Sequence, residues 1–304
     1  MNEKKIGLIG LDTSHVVAFS RLLNDPKDPH HVPGAKVVVG FPGGSPDMPL
    51  SINRVKGFTE EIQGKYGVRI VDRLEAVAEA ADLVFITAVD GRVHHDLFGR
   101  VARYGKPTYI DKPLALSVAE TKAILEAASS AGIPVMSSSS LRYAESFVAA
   151  LGDADLGGVH GVDVCGPLEM ESTQTGLFWY GIHAAEMIVA AMGVGCRRVR
   201  ATMQEGCEIF VAEWADGRIA TFRGNRKGHQ HFTCVLHGEK GFRFVDPYST
   251  GKPPYASLLA AILRSLPHGR SDVPEGQTLE VIRLIEAANT ARAGAGCVEL
   301  GQKP

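Results

Sequence analysis

Asp82-Leu83-Val84-Phe85-Ile86-Thr87 and Pro107-Thr108-Tyr109-Ile110 are short, continuously apolar runs separated by Val93–Tyr104, whose pattern predicts a helix. Continuous apolar strands joined through helices are what a parallel sheet covered on both faces requires. Moving outward, the alternation continues. Thr59–Tyr66 reads as helix, Val68–Val71 as strand and Leu74–Ala80 as helix, while Ser117–Ala131 and Ile133–Met136 add a further helix and strand. Nearer the start, Lys5–Gly10 is an apolar run ending in glycine, a helix is expected from about Thr13 to Leu23, and Lys36–Phe41 is a valine-rich strand. Asp25–Gly34, with three prolines and two histidines, reads as a loop, and Phe41–Lys56 as a second long loop. Right-handed crossovers then give an open, doubly wound α/β sheet.

Past Ser137–Ser140 the pattern changes. A helix (about Leu141–Leu151), a strand (Gly161–Cys165) and a helix (Ile182–Met192) precede long strands at Arg197–Gln204, Glu208–Trp214, Arg218–Arg223, His231–His237 and Phe242–Val245. Ala215-Asp216-Gly217 and Gly238-Glu239-Lys240-Gly241 read as hairpin turns, and helices at Tyr255–Ser265 and Thr278–Ala291 finish the chain. The expected architecture is a parallel domain over residues 1–139 and an α+β domain with a mainly antiparallel sheet over 140–304.

Bulk properties narrow the function. The 304 residues carry 45% hydrophobic side chains, enough for a sizeable core, and a net charge of −2 without a basic stripe. That balance argues against nucleic acid or an anionic membrane as partner. The five cysteines are scattered without a C-x-x-C pair, so neither a zinc site nor a disulfide framework is expected. Met1–Lys5 leads straight into a strand, with no signal peptide and no membrane helix expected; a cytoplasmic location is the plain expectation.

The turn after the first strand is Gly10-Leu11-Asp12-Thr13-Ser14-His15. A dinucleotide-binding turn of the Rossmann type reads G-x-G-x-x-G. Here Gly10 is kept, Asp12 stands at the second glycine and His15 at the third. Asp12 is expected to cap the following helix and so to oppose a diphosphate at the helix N-terminus. No acidic residue follows the second strand to hold a ribose 2′-hydroxyl. The Gly43-Gly44-Ser45 loop there offers N–H groups and a hydroxyl to a 2′-phosphate, or is simply a loop beside a capped helix.

Asp111-Lys112-Pro113 follows the strand Pro107–Ile110, at the strand ends where open α/β sheets bind ligands. Lys112 is either a group in that crevice or a surface lysine before a turn. In Tyr180-Gly181-Ile182-His183-Ala184-Ala185-Glu186, His183 and Glu186 share one helix face. A histidine beside a carboxylate is a candidate proton acceptor near neutral pH, and equally a packed histidine.

The strand–turn–helix opening, Asp111-Lys112-Pro113, and Gly181-x-His183-x-x-Glu186 together resemble the Gfo/Idh/MocA oxidoreductases, the glucose–fructose oxidoreductase and inositol dehydrogenase family. His94, Gly105-Lys106 and Ile285-Glu286-Ala287-Ala288 fall where that family has similar residues. The resemblance implies a two-domain enzyme using NAD or NADP on a sugar, polyol or cyclitol, with a homodimer or homotetramer formed through the second-domain sheet. It implies Lys112 beside the nicotinamide and reacting carbon, and His183 as acid/base. It assigns the cofactor to Gly10, Asp12, Thr13, Ser14, His15, Gly43, Gly44, Ser45, His94, Asp111 and Lys112, and the substrate to Arg142, Trp179, Tyr180, His183 and Glu186.

Three departures stand out. Asp111 replaces the family's Glu, Trp179 stands where it commonly has an Asp, and Asp90-Gly91 occupies the place of its Thr-Pro-Asn loop. Glu186 or Tyr180 can substitute for the missing carboxylate, and Trp179 can stack on a sugar face. These departures leave a second reading: an altered family member that binds a ligand or regulates without turnover. A third gathers Asp12, His15, His183 and Glu186 around a metal, although their spacing demands none, and the paired histidines (His30-His31, His94-His95, His229 and His231) lack a ligand set.

Overall fold

The computed structural model describes residues 3–301. The chain forms two compact units: one runs up to Ser138 and includes Tyr255–Glu275, the other comprises Ser139–Pro254 and the chain from Gly276 onward. The first break lies beside the expected 139/140 boundary. The return of 255–275 to the first unit differs from it, because a helix's apolar face carries no record of which sheet it covers.

In the first unit, β1 (Lys4–Ile9), α1 (Ser14–Asn24), β2 (Ala35–Phe41), α2 (Pro49–Tyr66), β3 (Arg69–Ile70), α3 (Leu74–Ala80), β4 (Leu83–Ile86), α4 (His94–Ala102), β5 (Thr108–Ile110), α5 (Val118–Ala131) and β6 (Val135–Met136) alternate. The strands form one parallel sheet in the order β3-β2-β1-β4-β5-β6. This is the doubly wound order whose switch point lies between β1 and β4. All four residues of β4 are buried, as the apolar run predicts. Helix α2 corrects the expected long loop, since it begins at Pro49 rather than Thr59. Proline fits the first turn of a helix, where its missing N–H is needed by no partner. Only Ser51 and Ile62 of α2 are buried, which left little apolar periodicity to read.

In the second unit, α6 (Glu145–Leu151) follows a 3-10 turn at Ser140–Tyr143 that the sequence read as part of the same helix. Then come β7 (Val159–Pro167), α7 (Gly181–Met192), β8 (Cys196–Met203), β9 (Cys207–Trp214), β10 (Ile219–Asn225), β11 (Thr233–Gly238) and β12 (Phe242–Val245). Helix α8 (Pro254–Ser265) belongs to the first unit from Tyr255 on, whereas α9 (Glu275–Thr290) and the short edge strand β13 (Cys297–Glu299) complete the second. The sheet order is β12-β11-β7-β10-β9-β8-β13, antiparallel except where β10 runs parallel to β7. One face buries Phe210, Ala212, Ala220 and Phe222, and α7 is buried along most of its length. The other face exposes Ile209, Ile219, Phe242 and Phe244. Among the described residues no helix is long and apolar enough to cross a membrane.

Candidate active site

In the first unit the candidate site lies at the carboxyl ends of β1, β2, β4 and β5. Gly10 leaves β1 at φ 88°, and a Cβ there would lie 2.5 Å from backbone atoms of Ala88. Only glycine permits that backbone and that approach. Gly43 and Gly44 also have positive φ, 63° and 108°. With Ile9, Gly10, Asp12, Phe41, Ser45, Ala88, Val93, Asp96 and Leu97 they surround a cavity of about 320 Å³.

Asp12 does not cap α1, contrary to the sequence expectation. The cap is Thr13, whose hydroxyl accepts from the His15 amide at 3.4 Å; Ser14 follows as an exposed first helical residue. Thr13 is the extended residue before the helix, so its hydroxyl is the one within reach of the free amides. Asp12, one residue earlier, is fully buried and turns away from the helix. Its Oδ2 accepts from the Ser51 hydroxyl at 2.5 Å and its Oδ1 from the Val89 amide at 2.9 Å. Burial raises its carboxyl above the ordinary range, opposed by those hydrogen bonds.

The Ser45 amide donates to Ser51 Oγ at 2.8 Å, giving a relay from Ser45 through Ser51 to Asp12. That amide is therefore engaged, which corrects its expected use on a 2′-phosphate. His94 is also corrected. Its ring is fully buried, with Nδ1 2.9 Å from the Pro113 carbonyl and Nε2 2.8 Å from the Ala88 carbonyl. It ties the loop after β4 to the Asp111-Lys112-Pro113 loop, where Lys112-Pro113 is a cis peptide. Asp90 caps the short turn Gly91–Val93 and pairs with Arg92 at 2.7 Å.

Asp111 is buried at the end of β5. One carboxylate oxygen meets His15 Nδ1; the other accepts from the Lys112 amide at 2.9 Å and the Tyr109 hydroxyl at 3.3 Å. Burial works to raise this carboxyl, but His15 and then Lys112 outweigh it and hold it at about 2. Lys112 is half-buried, and desolvation of its ammonium moves it below the usual lysine range, with Asp111 opposing. His15 reaches further: its Nε2 lies 2.8 Å from the Tyr255 hydroxyl on α8. Tyr255 and Ser51 were missed by the sequence reading, and nothing local marks either of them.

In the second unit, His183 lies near the start of α7. Its Nδ1 lies 2.7 Å from Ser139 Oγ, and its ring meets Tyr180 and Phe232 edge-on at 5.9 and 5.4 Å. Ser139 falls in the serine run at the expected domain junction, whereas Phe232 carried no signal. Arg142 and Glu186, expected to face substrate, instead pair with each other at 2.8 Å. Arg142 also donates to Gln277 at 2.7 Å, and its Nη2 is buried without a partner among the described residues. The ion pair ties the turn Ser140–Tyr143 to α7 one turn beyond His183. Trp179 and Tyr180 are half-buried with ring centroids 6.3 Å apart. Burial raises the Tyr180 hydroxyl, with Glu169 adding to it.

Among the described residues, no group of three or more metal-ligand side chains converges. Asp12 turns to Ser51 and Val89 while His15 turns to Asp111 and Tyr255, so these two do not share an ion.

Comparisons with known proteins agree with this architecture. Residues 52–139 match the model of the Gfo/Idh/MocA oxidoreductase family, described as having an NAD-binding Rossmann fold. That stretch holds the Asp111-Lys112-Pro113 motif on which the resemblance to the family partly rests. An inositol 2-dehydrogenase of Rhizobium meliloti (strain 1021) is 34% identical over 110 residues, covering 34% of this chain and 33% of that protein. The chain thus spans about a third of the curated relative it matches. A scyllo-inositol dehydrogenase from Lactobacillus casei, solved with NAD(H) and scyllo-inositol, superposes with a TM-score of 0.80 at 13% identity, over 98% of this chain and 99% of that one. A putative myo-inositol dehydrogenase from Sinorhizobium meliloti 1021 gives 0.79 at 19% identity, over 98% and 100%. At these identities the superpositions carry the fold over the whole chain.

Proposed function

We propose that this chain is a nicotinamide-dependent dehydrogenase that interconverts a CH–OH group and a carbonyl on a cyclitol, sugar or related polyol. The observation that carries the reading is Lys112 at the carboxyl end of β5, held through Asp111 inside the stretch that matches the family. The dinucleotide fits the first unit on structural grounds. Gly10, Gly43 and Gly44 keep side chains out of a cavity at the switch point, and Asp12 is turned off the helix N-terminus. When bound, the nicotinamide supplies the hydride acceptor or donor. Gly10, Thr13 and Ser14 would hold the diphosphate against the first turn of α1.

NAD(H) is the proposed cofactor rather than NADP(H). The residues lining the cavity include Asp12 and Asp96 and no lysine or arginine, an unfavourable surrounding for a 2′-phosphate.

His183 is the proposed proton acceptor and donor. With Nδ1–H donated to Ser139 Oγ, Nε2 accepts the hydroxyl proton and the ring becomes the imidazolium; in the reverse direction that imidazolium, still donating Nδ1–H to Ser139, returns the proton from Nε2. The one contact thus serves both directions of the reaction. Lys112 orients and polarises the reacting oxygen as the family resemblance implies. Arg142 and Glu186 hold the His183 helix, and Trp179 and Tyr180 offer ring faces to a sugar.

A homodimer or homotetramer through the exposed sheet face, where Phe242 and Phe244 are 67% and 66% exposed, and a cytoplasmic location complete the proposal. The test is direct. NADH should bind in the micromolar range and at least tenfold more tightly than NADPH, by fluorescence titration. His183→Asn should lower turnover of an accepted polyol by about 10²–10⁴-fold with cofactor affinity kept. A protein that binds neither nucleotide is not a dehydrogenase. One that binds NADH and keeps its biological activity as Lys112→Ala is instead a non-catalytic ligand-binding or regulatory member.

A further inference from the structure

The first unit contains a hydrogen-bonded series that the proposed reaction does not use: Tyr255 hydroxyl, His15 imidazole, Asp111 carboxylate, Lys112 backbone amide. Its middle member stands at the third position of the glycine turn. A glycine there serves only close packing of helix on strand. The imidazole here is wedged against Phe19 and Tyr255, with ring centroids 5.9 and 4.9 Å away, and both nitrogens are engaged by side chains from other elements.

The carboxylate has little freedom left. Oδ2 is taken by His15, while Oδ1 accepts from the Lys112 amide and the Tyr109 hydroxyl. The single Tyr109 hydroxyl proton is shared between that oxygen and the Ser138 carbonyl, 3.1 Å away, and the ring packs on Phe19 and Phe85. Asp111 is shorter by one methylene than the Glu that the family resemblance leads one to expect here. A shorter side chain on a rigid strand end is held closer to its own backbone, and His15 takes up the oxygen turned away from that backbone.

We propose that His15 and Tyr255 are positioning residues for Lys112, acting through Asp111: imidazole and phenol fix the carboxylate's orientation and so restrict how closely it approaches the Lys112 ammonium. This rests on Lys112 being the working lysine, as proposed above. The physical consequence follows from the geometry. A carboxylate shared with an imidazole neutralises a neighbouring ammonium less than one free to turn onto it. The desolvation of Lys112 acts in the same direction. Removing the imidazole frees Oδ2 to turn towards the ammonium, which favours the charged form. The titratable groups facing this series are Asp111 and Lys112 from the end of β5, Tyr109 from β5 itself, His15 from α1 and Tyr255 from α8.

The experiment reads Lys112 itself, without turnover. In protein labelled at lysine side chains, the Lys112 NMR signal is assigned with Lys112→Arg and titrated against pH in wild type, His15→Phe, His15→Asn and Tyr255→Phe. His15→Phe keeps the ring volume and should raise the Lys112 midpoint by about one pH unit, a tenfold loss of free amine at a given pH. His15→Asn offers a side-chain N–H near the position of Nδ1 and should restore at least half of that change. Tyr255→Phe, which removes a single hydroxyl, should give a smaller rise of the same sign. Wild-type midpoints in both His15→Phe and Tyr255→Phe would overturn the proposal and make His15 a packing residue. Should His15→Phe not fold, His15→Asn and Tyr255→Phe decide: no rise in Tyr255→Phe rejects the series. NADH binding is measured on the same samples. Absence of binding with the Lys112 shifts intact refutes the dehydrogenase reading and leaves the positioning device standing.

Discussion

Glu186→Ala should destabilise the second unit severely, because it strands a buried guanidinium. The Arg142 and Glu186 side chains are 10% and 6% exposed, and Arg142 Nη2 already lacks a partner among the described residues. Among the described residues, only the contact of Nη1 with Gln277 would then remain. Removing one partner of a buried ion pair costs about 3–5 kcal/mol, chiefly from the charge left behind. At ~2–4 °C per kcal/mol for a chain of this size, the midpoint should fall by roughly 6–20 °C. Both tryptophans, Trp179 and Trp214, lie in the second unit, so urea denaturation followed by their fluorescence reports on that unit. Replacing both partners by apolar residues, Arg142→Met with Glu186→Leu, should recover stability to within about 1 kcal/mol of wild type, since the desolvation cost disappears with the charges. A loss below about 1 kcal/mol in the single variant, with no coupling in the double-mutant cycle, refutes the reasoning. The pair would then be solvated.

Three other outcomes are expected. Gly10→Ala forces a side chain into φ 88° and to within 2.5 Å of the Ala88 backbone, and should cost about 2–5 kcal/mol with loss of NADH binding; calorimetry and titration check both. Asp111 contributes to acid stability with a definite sign. Its carboxyl lies at about 2 against an ordinary 3.8, so its stabilisation is fully present above 3.8 and lost as pH falls towards 2. About 2 kcal/mol should go in that window, and Asp111→Asn should flatten this part of the stability–pH curve in urea titrations. Phe244→Asp together with Phe242→Asp should convert the proposed oligomer to monomer in sedimentation velocity while leaving the melting of the first unit unchanged; an unchanged sedimentation coefficient rejects the sheet-face interface.

The strand–helix alternation, the antiparallel second sheet and the position of Lys112 at a strand end were all legible in the linear chain. Each rests on a short-range period: continuous apolar runs for strands buried on both faces, two-residue alternation for half-buried ones, and glycine where the backbone turns through positive φ. The same logic failed at Pro49–Lys56, where a helix buries so little that its apolar period is faint. It failed again at Asp12, where a one-residue offset decided between capping a helix and facing a buried serine.

The glycine turn shows where the sequence stops. It determined by itself that the turn keeps one glycine and carries an aspartate and a histidine. Only the tertiary structure decided what those side chains do: Asp12 meets Ser51 and Val89, and His15 meets Asp111 and Tyr255, 96 and 240 residues away along the chain. The physical reason is that a buried polar group is satisfied by whichever donor or acceptor the folded chain brings within about 3 Å, and that choice has no period in sequence. Arg142 and Glu186 make the same point, as two residues that looked free to meet a substrate and are held by each other.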